Sequence, residues 1–201
     1  MTTHFLSDAL KRFAQISVLP PFDRVFQPFQ NQLLLIPRFE ELLCNALDCF
    51  ERTARPGHLT ASAFVLSCDL AHVALTHHAK LKRWMQLGGH ADGHFLMHEV
   101  ALKEAVEEGG ISCLQFLNWC ALDGDIPIPF DLDIHEIPAT PKEDAHLHYD
   151  VRYLLVAEEK LPLVVSEESI DVRWIALEEV GSYTQELSVL RMVDKVRLIR
   201  D

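Results

Sequence analysis

The chain has 201 residues, 49% of them hydrophobic and 24% charged, enough apolar material for one core with a modest extension. Its formal net charge of −12 at pH 7 repels a phosphate backbone, which argues against nucleic-acid partners. No apolar run reaches the ~18 residues a membrane span needs, so no membrane association is expected.

The first third reads as helical. Phe5, Leu6, Ala9, Leu10, Phe13 and Ile16 recur at helix spacing. Shorter pieces carrying Phe22, Val25, Phe26 and Phe29 follow Pro20-Pro21. A stronger stripe after Pro37 runs through Phe39, Leu42, Leu43, Ala46, Leu47 and Phe50 and ends at Arg55-Pro56-Gly57. This divides the chain into a helical extension, residues 1–57, and a second domain, residues 58–201.

At residue 59 the texture changes. LTASAFVLS and HVALTH read as two strands, and HAKLKRWMQLGGHADG as a glycine-rich charged loop. Residues 95–108 have helical texture and stop at Gly109-Gly110. After a stretch around residues 123–125, IPIPFDLDIHEIPA is extended. HLHYDVRYLLVA and IDVRWIAL are strands separated by the loop VSEES. Val189, Leu190, Val193, Val196, Leu198 and Ile199 fit a closing helix. Strands interleaved with helices predict an α/β or α+β core.

The five cysteines, Cys44, Cys49, Cys68, Cys113 and Cys120, form no C-x-x-C pair and read as reduced, mostly buried thiols. The N-terminus lacks the apolar block of a signal peptide, so a cytoplasmic location is expected.

The chemistry concentrates between Gly88 and Ile111. On a helix, Glu104, Glu107 and Glu108 stand at i, i+3 and i+4, on one face and one turn apart. Like charges at that spacing repel, and a hard divalent cation that prefers oxygen ligands offsets the repulsion. For an arbitrary helix, a solvated acidic face is the better explanation of three glutamates. Here a glycine loop precedes the helix, two glycines end it and an apolar residue follows.

That arrangement resembles the Nudix box, G-x5-E-x7-R-E-U-x-E-E-x-G-U, where U is a bulky aliphatic. Gly89 stands at the opening glycine, Glu104 at the glutamate of R-E-U, Glu107 and Glu108 at the E-E pair, Gly110 at the glycine and Ile111 at the last aliphatic. Ala105 is smaller than the pattern asks. Phe95 replaces the first glutamate and Lys103 the arginine, which removes one supporting ion pair; packing by the phenylalanine, or the nearby His94 and Glu99, is expected to compensate. The resemblance extends to the strand pair at residues 59–78, to the approach from Trp84 to Gly89, and to Glu167 through Ile175, with Asp171 at an acidic position.

The resemblance implies a Nudix-type α/β/α sandwich with a mixed β-sheet and an N-terminal helical extension. It also implies a Mg²⁺-dependent (or Mn²⁺-dependent) pyrophosphohydrolase that cleaves a nucleoside diphosphate linked to another moiety. ADP-ribose, nucleotide sugars, dinucleotides and nucleoside triphosphates are the substrate classes. Glu104, Glu107 and Glu108 then hold the metal, and Glu104, Glu167 and Glu168 are candidates for the general base. The alternative is a nucleotide-binding or regulatory module of the same fold with weak or no hydrolysis, favoured by Phe95 and Lys103.

Two further clusters bear on substrate binding. With a period of two, His146, His148, Asp150 and Arg152 share one strand face. That face is either solvated or lines a cleft in which His148 and Arg152 contact substrate. His77, His78, Lys80, Lys82 and Arg83 form a basic island before the glycine loop, either solvated or guiding an anionic substrate. The eleven histidines raise zinc as a minor alternative. His90, His94 and His98 are spaced by four, but Gly93 interrupts any helix through them, and no thiol or carboxylate joins them at a known ligand spacing. The N-terminal helices are expected to cap the cleft or to form a subunit interface, the latter giving a homodimer.

Overall fold

The helical texture of the first third corresponds to four short pieces. In a computed structural model of the protein, residues 4–46, 48–117, 126–141, 143–158 and 162–200 are described. Helix α1 (His4–Ile16) buries Leu6, Ala9, Leu10, Phe13 and Ile16. Helix α2 (Asp23–Phe26) leads into a 3-10 segment (Gln27–Leu35) and then helix α3 (Ile36–Asn45). Pro28 and Pro37 each sit in a first turn, where a missing N–H costs nothing. Helix α3 stops at Asn45, earlier than the apolar stripe suggests. Ala46 is already extended, Leu47 lies outside the described residues, and Phe50 is buried in the turn beyond.

Strand β1 (Gly57–Leu66) is buried along its whole length because it is central. It pairs in parallel with β7 (His146–Ala157), from Gly57 opposite Leu147 to Leu66 opposite Val156. On its other edge it pairs antiparallel with β2 (His72–His78) and with β4 (Leu87–His90). Strand β3 (Trp84–Met85) pairs with β2. The stretch from His78 to Gly93, expected as a loop, therefore holds two short strands. Gly88 and Gly89 have poor strand propensity, but pairing with Ser62 and Ala61 of β1 overrides it. Strands β5 (Leu114–Phe116) and β6 (Asp131–Ile137) pair with β7, and β8 (Ser169–Ala176) with β2.

Side-chain alternation assigns the two faces of this mixed sheet. Ala61 and its partner Gly89 face helix α4 (Met97–Gly109), since a side chain on Gly89 would meet Glu104. Ser62, Arg152 and Asp131 are register partners on the opposite face, and there Asp131 meets Lys195 of α6 (Leu187–Arg200). A short helix α5 (Val180–Tyr183) precedes α6. Helices on both sides of a mixed sheet make this an α+β fold. Phe13, Phe26 and Phe39 join the same buried cluster as Leu59, Val65 and Tyr149, and Phe39 meets Tyr149 edge-on with ring centres 5.3 Å apart.

Among the described residues no helix is long and apolar enough to cross a membrane. The thiols differ from expectation. Cys44, Cys68 and Cys113 are exposed and free, Cys49 alone of the four is buried, and Cys120 lies outside the described residues.

Candidate active site

Helix α4 lies close on β4 because its inner positions are small. Ala101 and Ala105 are fully buried, and a side chain on Gly109 would come within 3.0 Å of Leu87. The alanine at position 105, where a bulky aliphatic is expected, serves this close approach. Gly110 ends the helix with φ +67, and its N–H donates to the Val106 carbonyl at 3.0 Å. That left-handed conformation favours glycine.

The close approach turns two of the three box glutamates inward. Glu108 is buried, and its Oε2 accepts a hydrogen bond from the Gly88 backbone N–H at 2.9 Å. The Glu104 carboxylate occupies the space a Gly89 side chain would fill, with its carbon 2.6 Å from that position. Glu107 is exposed. Burial pushes the Glu108 pKa up to about 7 against the donated Gly88 N–H, and the charges of Glu104 and Glu168 add to the rise. Burial likewise raises Glu104, opposed by Lys103 and reinforced by Glu107 and Glu168. Glu168 is exposed on the loop before β8, where its carbonyl accepts the Ala79 N–H at 2.8 Å. Its charge adds a small upward push to both inward glutamates. Carboxylates of this kind suit a hard divalent cation such as Mg²⁺ or Mn²⁺.

Both departures from the box have visible contacts. Phe95 packs edge-on against Phe50, ring centres 5.0 Å apart. Lys103 Nζ lies 3.2 Å from Glu107 and 3.5 Å from Glu104. His94 Nε2 is 3.2 Å from Glu99, at the start of the same helix.

The residues expected to bind substrate are dispersed. Arg83 is exposed and paired with Glu186 at 2.8 Å. Arg152 is buried, and its guanidinium donates to Asp150 at 2.7 Å, Asp133 at 3.1 Å and Asp131 at 3.4 Å. The strand face expected to be solvated or to line a cleft is, at this position, an internal ion network. Asp131 also takes Lys195 at 2.6 Å and Arg191 at 2.7 Å, while Lys195 and Asp131 both bond Gln32. His148 is half-buried on that same face with Nε2 enclosed. Arg52 escaped the sequence reading. It is paired with Asp92, and the charges of Glu168 and Glu104 act on it. Nothing in its local sequence signals this, because its position depends on the turn after α3.

No protein-family model and no curated protein matches the sequence. Solved structures do match. A hydrolase of the NUDIX family from Clostridium perfringens superposes with a TM-score of 0.56 at 22% identity, over 71% of this chain and 97% of that one. A C. elegans Ap4A hydrolase gives 0.54 at 14% identity, over 69% and 94%. The E. coli dihydroneopterin triphosphate pyrophosphohydrolase gives 0.52 at 14% identity, over 73% and 97%. The fold is the Nudix fold.

Proposed function

We propose that this protein is a Mg²⁺-dependent pyrophosphohydrolase acting on a nucleoside diphosphate linked to another moiety. The observation that carries the reading is that Glu104 and Glu108 both turn onto the Gly88-Gly89 backbone of β4. Glu104, Glu107 and Glu108 would hold the cation. When bound, it supplies charge neutralisation on the diphosphate and lowers the pKa of an attacking water.

The residues of the chain then have distinct tasks. Glu108 is fixed by the Gly88 N–H, which leaves its second oxygen free to ligate. Glu107 would leave Lys103 to join it. Glu168 is the general base of this proposal: it accepts the water proton as the new oxygen–phosphorus bond forms and the anhydride oxygen leaves. Arg52 would exchange Asp92 for a phosphate oxygen, and Arg83 is a second cation able to exchange Glu186 for substrate.

The test is hydrolysis by the full chain with Mg²⁺. ADP-ribose, diadenosine tetraphosphate, dihydroneopterin triphosphate, nucleoside triphosphates and nucleotide sugars would be offered, and released nucleotide or phosphate detected. The reading expects turnover of at least one compound and its loss in Glu108→Gln. Equal rates in wild type and variant would overturn it. Lys103 bridging Glu104 and Glu107 favours a second reading, a nucleotide-binding module. That reading predicts tight binding with no Mg²⁺-dependent product.

A further inference from the structure

The sheet face opposite α4 carries a second cluster of metal-binding side chains, made of imidazoles rather than carboxylates. We infer that His58, His90 and His148 form a site for a late first-row divalent transition metal, of which Zn²⁺ is the representative ion. This inference does not rest on the pyrophosphohydrolase reading.

The placement follows from strand pairing. His58 on β1 and His148 on β7 are register partners in a parallel pair, so their side chains leave the sheet on the same face. His90 on β4 is opposite Thr60, two residues along β1 from His58 and therefore on that same face. Three adjacent strands thus present three imidazoles from fixed backbone positions, which hold a site more closely than loops do. One nitrogen from each ring lies within 4.8 Å of the others. A tetrahedral zinc ion with bonds of about 2.0–2.1 Å sets its ligand nitrogens roughly 3.3 Å apart. Rotation of the side chains closes that difference.

The hydrogen bonding leaves a demand that a metal meets. Nε2 of His58 and Nε2 of His148 are buried and have no hydrogen-bond partner. Enclosed nitrogens without partners are costly, and each such atom in a folded protein calls for a reason. Nδ1 of His58 lies 3.5 Å from the Ala54 carbonyl. Donation from that nitrogen puts the lone pair on Nε2, the arrangement that metal-bound histidines adopt. Burial, then the neighbouring imidazoles, holds His58 down to about 4 and His148 down to about 2, and burial lowers His90 as well.

The surroundings complete the site. His146 stacks on His58 at 5.0 Å and is anchored by the Asp144 carbonyl at 2.8 Å. His135 packs on His148 at 5.4 Å and is bonded to Asp133. The nearby cations Arg52 and Arg55 are neutralised by Asp92 and Glu143. Three imidazoles with no carboxylate select zinc, copper, nickel or iron over magnesium, whereas the α4 carboxylates have the opposite preference. A His₃ set leaves a fourth position for solvent or an exogenous ligand.

The experiment titrates the metal-stripped full chain with Zn²⁺ against a chromophoric chelator, and with Co²⁺ followed by visible absorption. One Zn²⁺ per chain is expected, with the intense bands of tetrahedral cobalt. His148→Gln and His90→Gln should weaken binding by at least about 100-fold, while Glu108→Gln leaves it unchanged. X-ray absorption on the zinc-loaded wild type gives a readout if those variants fail to fold. It should show imidazole nitrogens at about 2.0–2.1 Å. An all-oxygen shell, binding that survives in His148→Gln but vanishes in Glu108→Gln, or no zinc uptake by the wild type would each overturn the site. None of these readouts involves turnover, so an inactive protein still tests the inference.

Discussion

Glu108 accepts the backbone N–H of Gly88 at 2.9 Å, a bond that ties the last turn of α4 to β4. It fixes one carboxylate oxygen of a buried glutamate and leaves the other without that bond. Glu108→Gln keeps the size and the acceptor but removes the charge. If Glu108 ligands the cation, several kcal/mol of charge stabilisation is lost, which corresponds to a fall in kcat of at least about 100-fold. Steady-state rates with Mg²⁺ check this, with a circular dichroism spectrum to show that the fold is kept.

Gly89 offers a test that leaves every carboxylate in the sequence intact. A β-carbon there would lie 2.6 Å from the Glu104 carboxylate. That group is the far end of a flexible side chain, so it moves at little cost to the fold. Gly89→Ala should therefore lower turnover by at least about 100-fold, as loss of Glu104 would. Its thermal midpoint should fall by only about 2–4 °C, the shift that ~1 kcal/mol gives in a chain of this size. A fully active Gly89→Ala would mean that Glu104 has no fixed position in the reaction.

The contrast between these residues and the histidines shows what the sequence can carry. The spacing of Glu104, Glu107, Glu108 and Gly110 is local, and one helix with one left-handed stop turns it into geometry. The alternation in HLHYDVRYL likewise identifies which residues of β7 share a face. It does not reveal that the face is covered, because the cover is Lys195 and Arg191 from α6, far away in the chain. Strand β4 was hidden for a similar reason: Gly88 and Gly89 become strand only through β1. His58, His90 and His148 sit on three strands whose registers are long-range, so their grouping leaves no spacing to find. Arg52, paired with Asp92 forty residues on, is the same case.

Phe95 stands where an ion-paired glutamate is expected, and it packs instead on Phe50. An edge-to-face aromatic pair is worth about 0.5–1.5 kcal/mol beyond its buried area. A double-mutant cycle of Phe50→Ala and Phe95→Ala, followed by urea unfolding, should return a coupling energy in that range. Additive effects would show that the two rings hold the loop independently.

Asp131 is fully buried and compensates Lys195, Arg191 and Arg152 at once. Burial opposes its ionisation, but these three cations hold its pKa below the ordinary aspartate value. Burial lowers Lys195 to about 8 against the pull of Asp131, so the pair stays charged at neutral pH. Asp131→Asn leaves buried cations short of a counter-charge, a change that costs about 3–5 kcal/mol. The loss should appear in the urea midpoint with an unchanged m-value. Because Gln32 from the 3-10 segment joins the same network, the helical extension should unfold with the sheet in one transition. Separate transitions would show that the extension is held elsewhere.

Asp133 gives this network a pH signature. Burial raises its pKa, but the His135 hydrogen bond and the charges of Arg152 and Arg191 win, holding it well below the usual 3.8. The groups facing it are His135, Arg152, Arg191 and, across the strand pair, Asp150. The folded carboxyl therefore binds its proton at lower pH than the unfolded one. Above about pH 4 both states are ionised and the full stabilisation is present. As pH falls through that value the unfolded chain takes up the proton first, and the stabilisation drains away. Asp133→Asn has no proton to take up, so its stability should sit below wild type at pH 7 and converge on it below about pH 4. Urea midpoints of the two proteins across that range measure the gap. A gap that stays constant would mean that the Asp133 charge contributes nothing to the folded state.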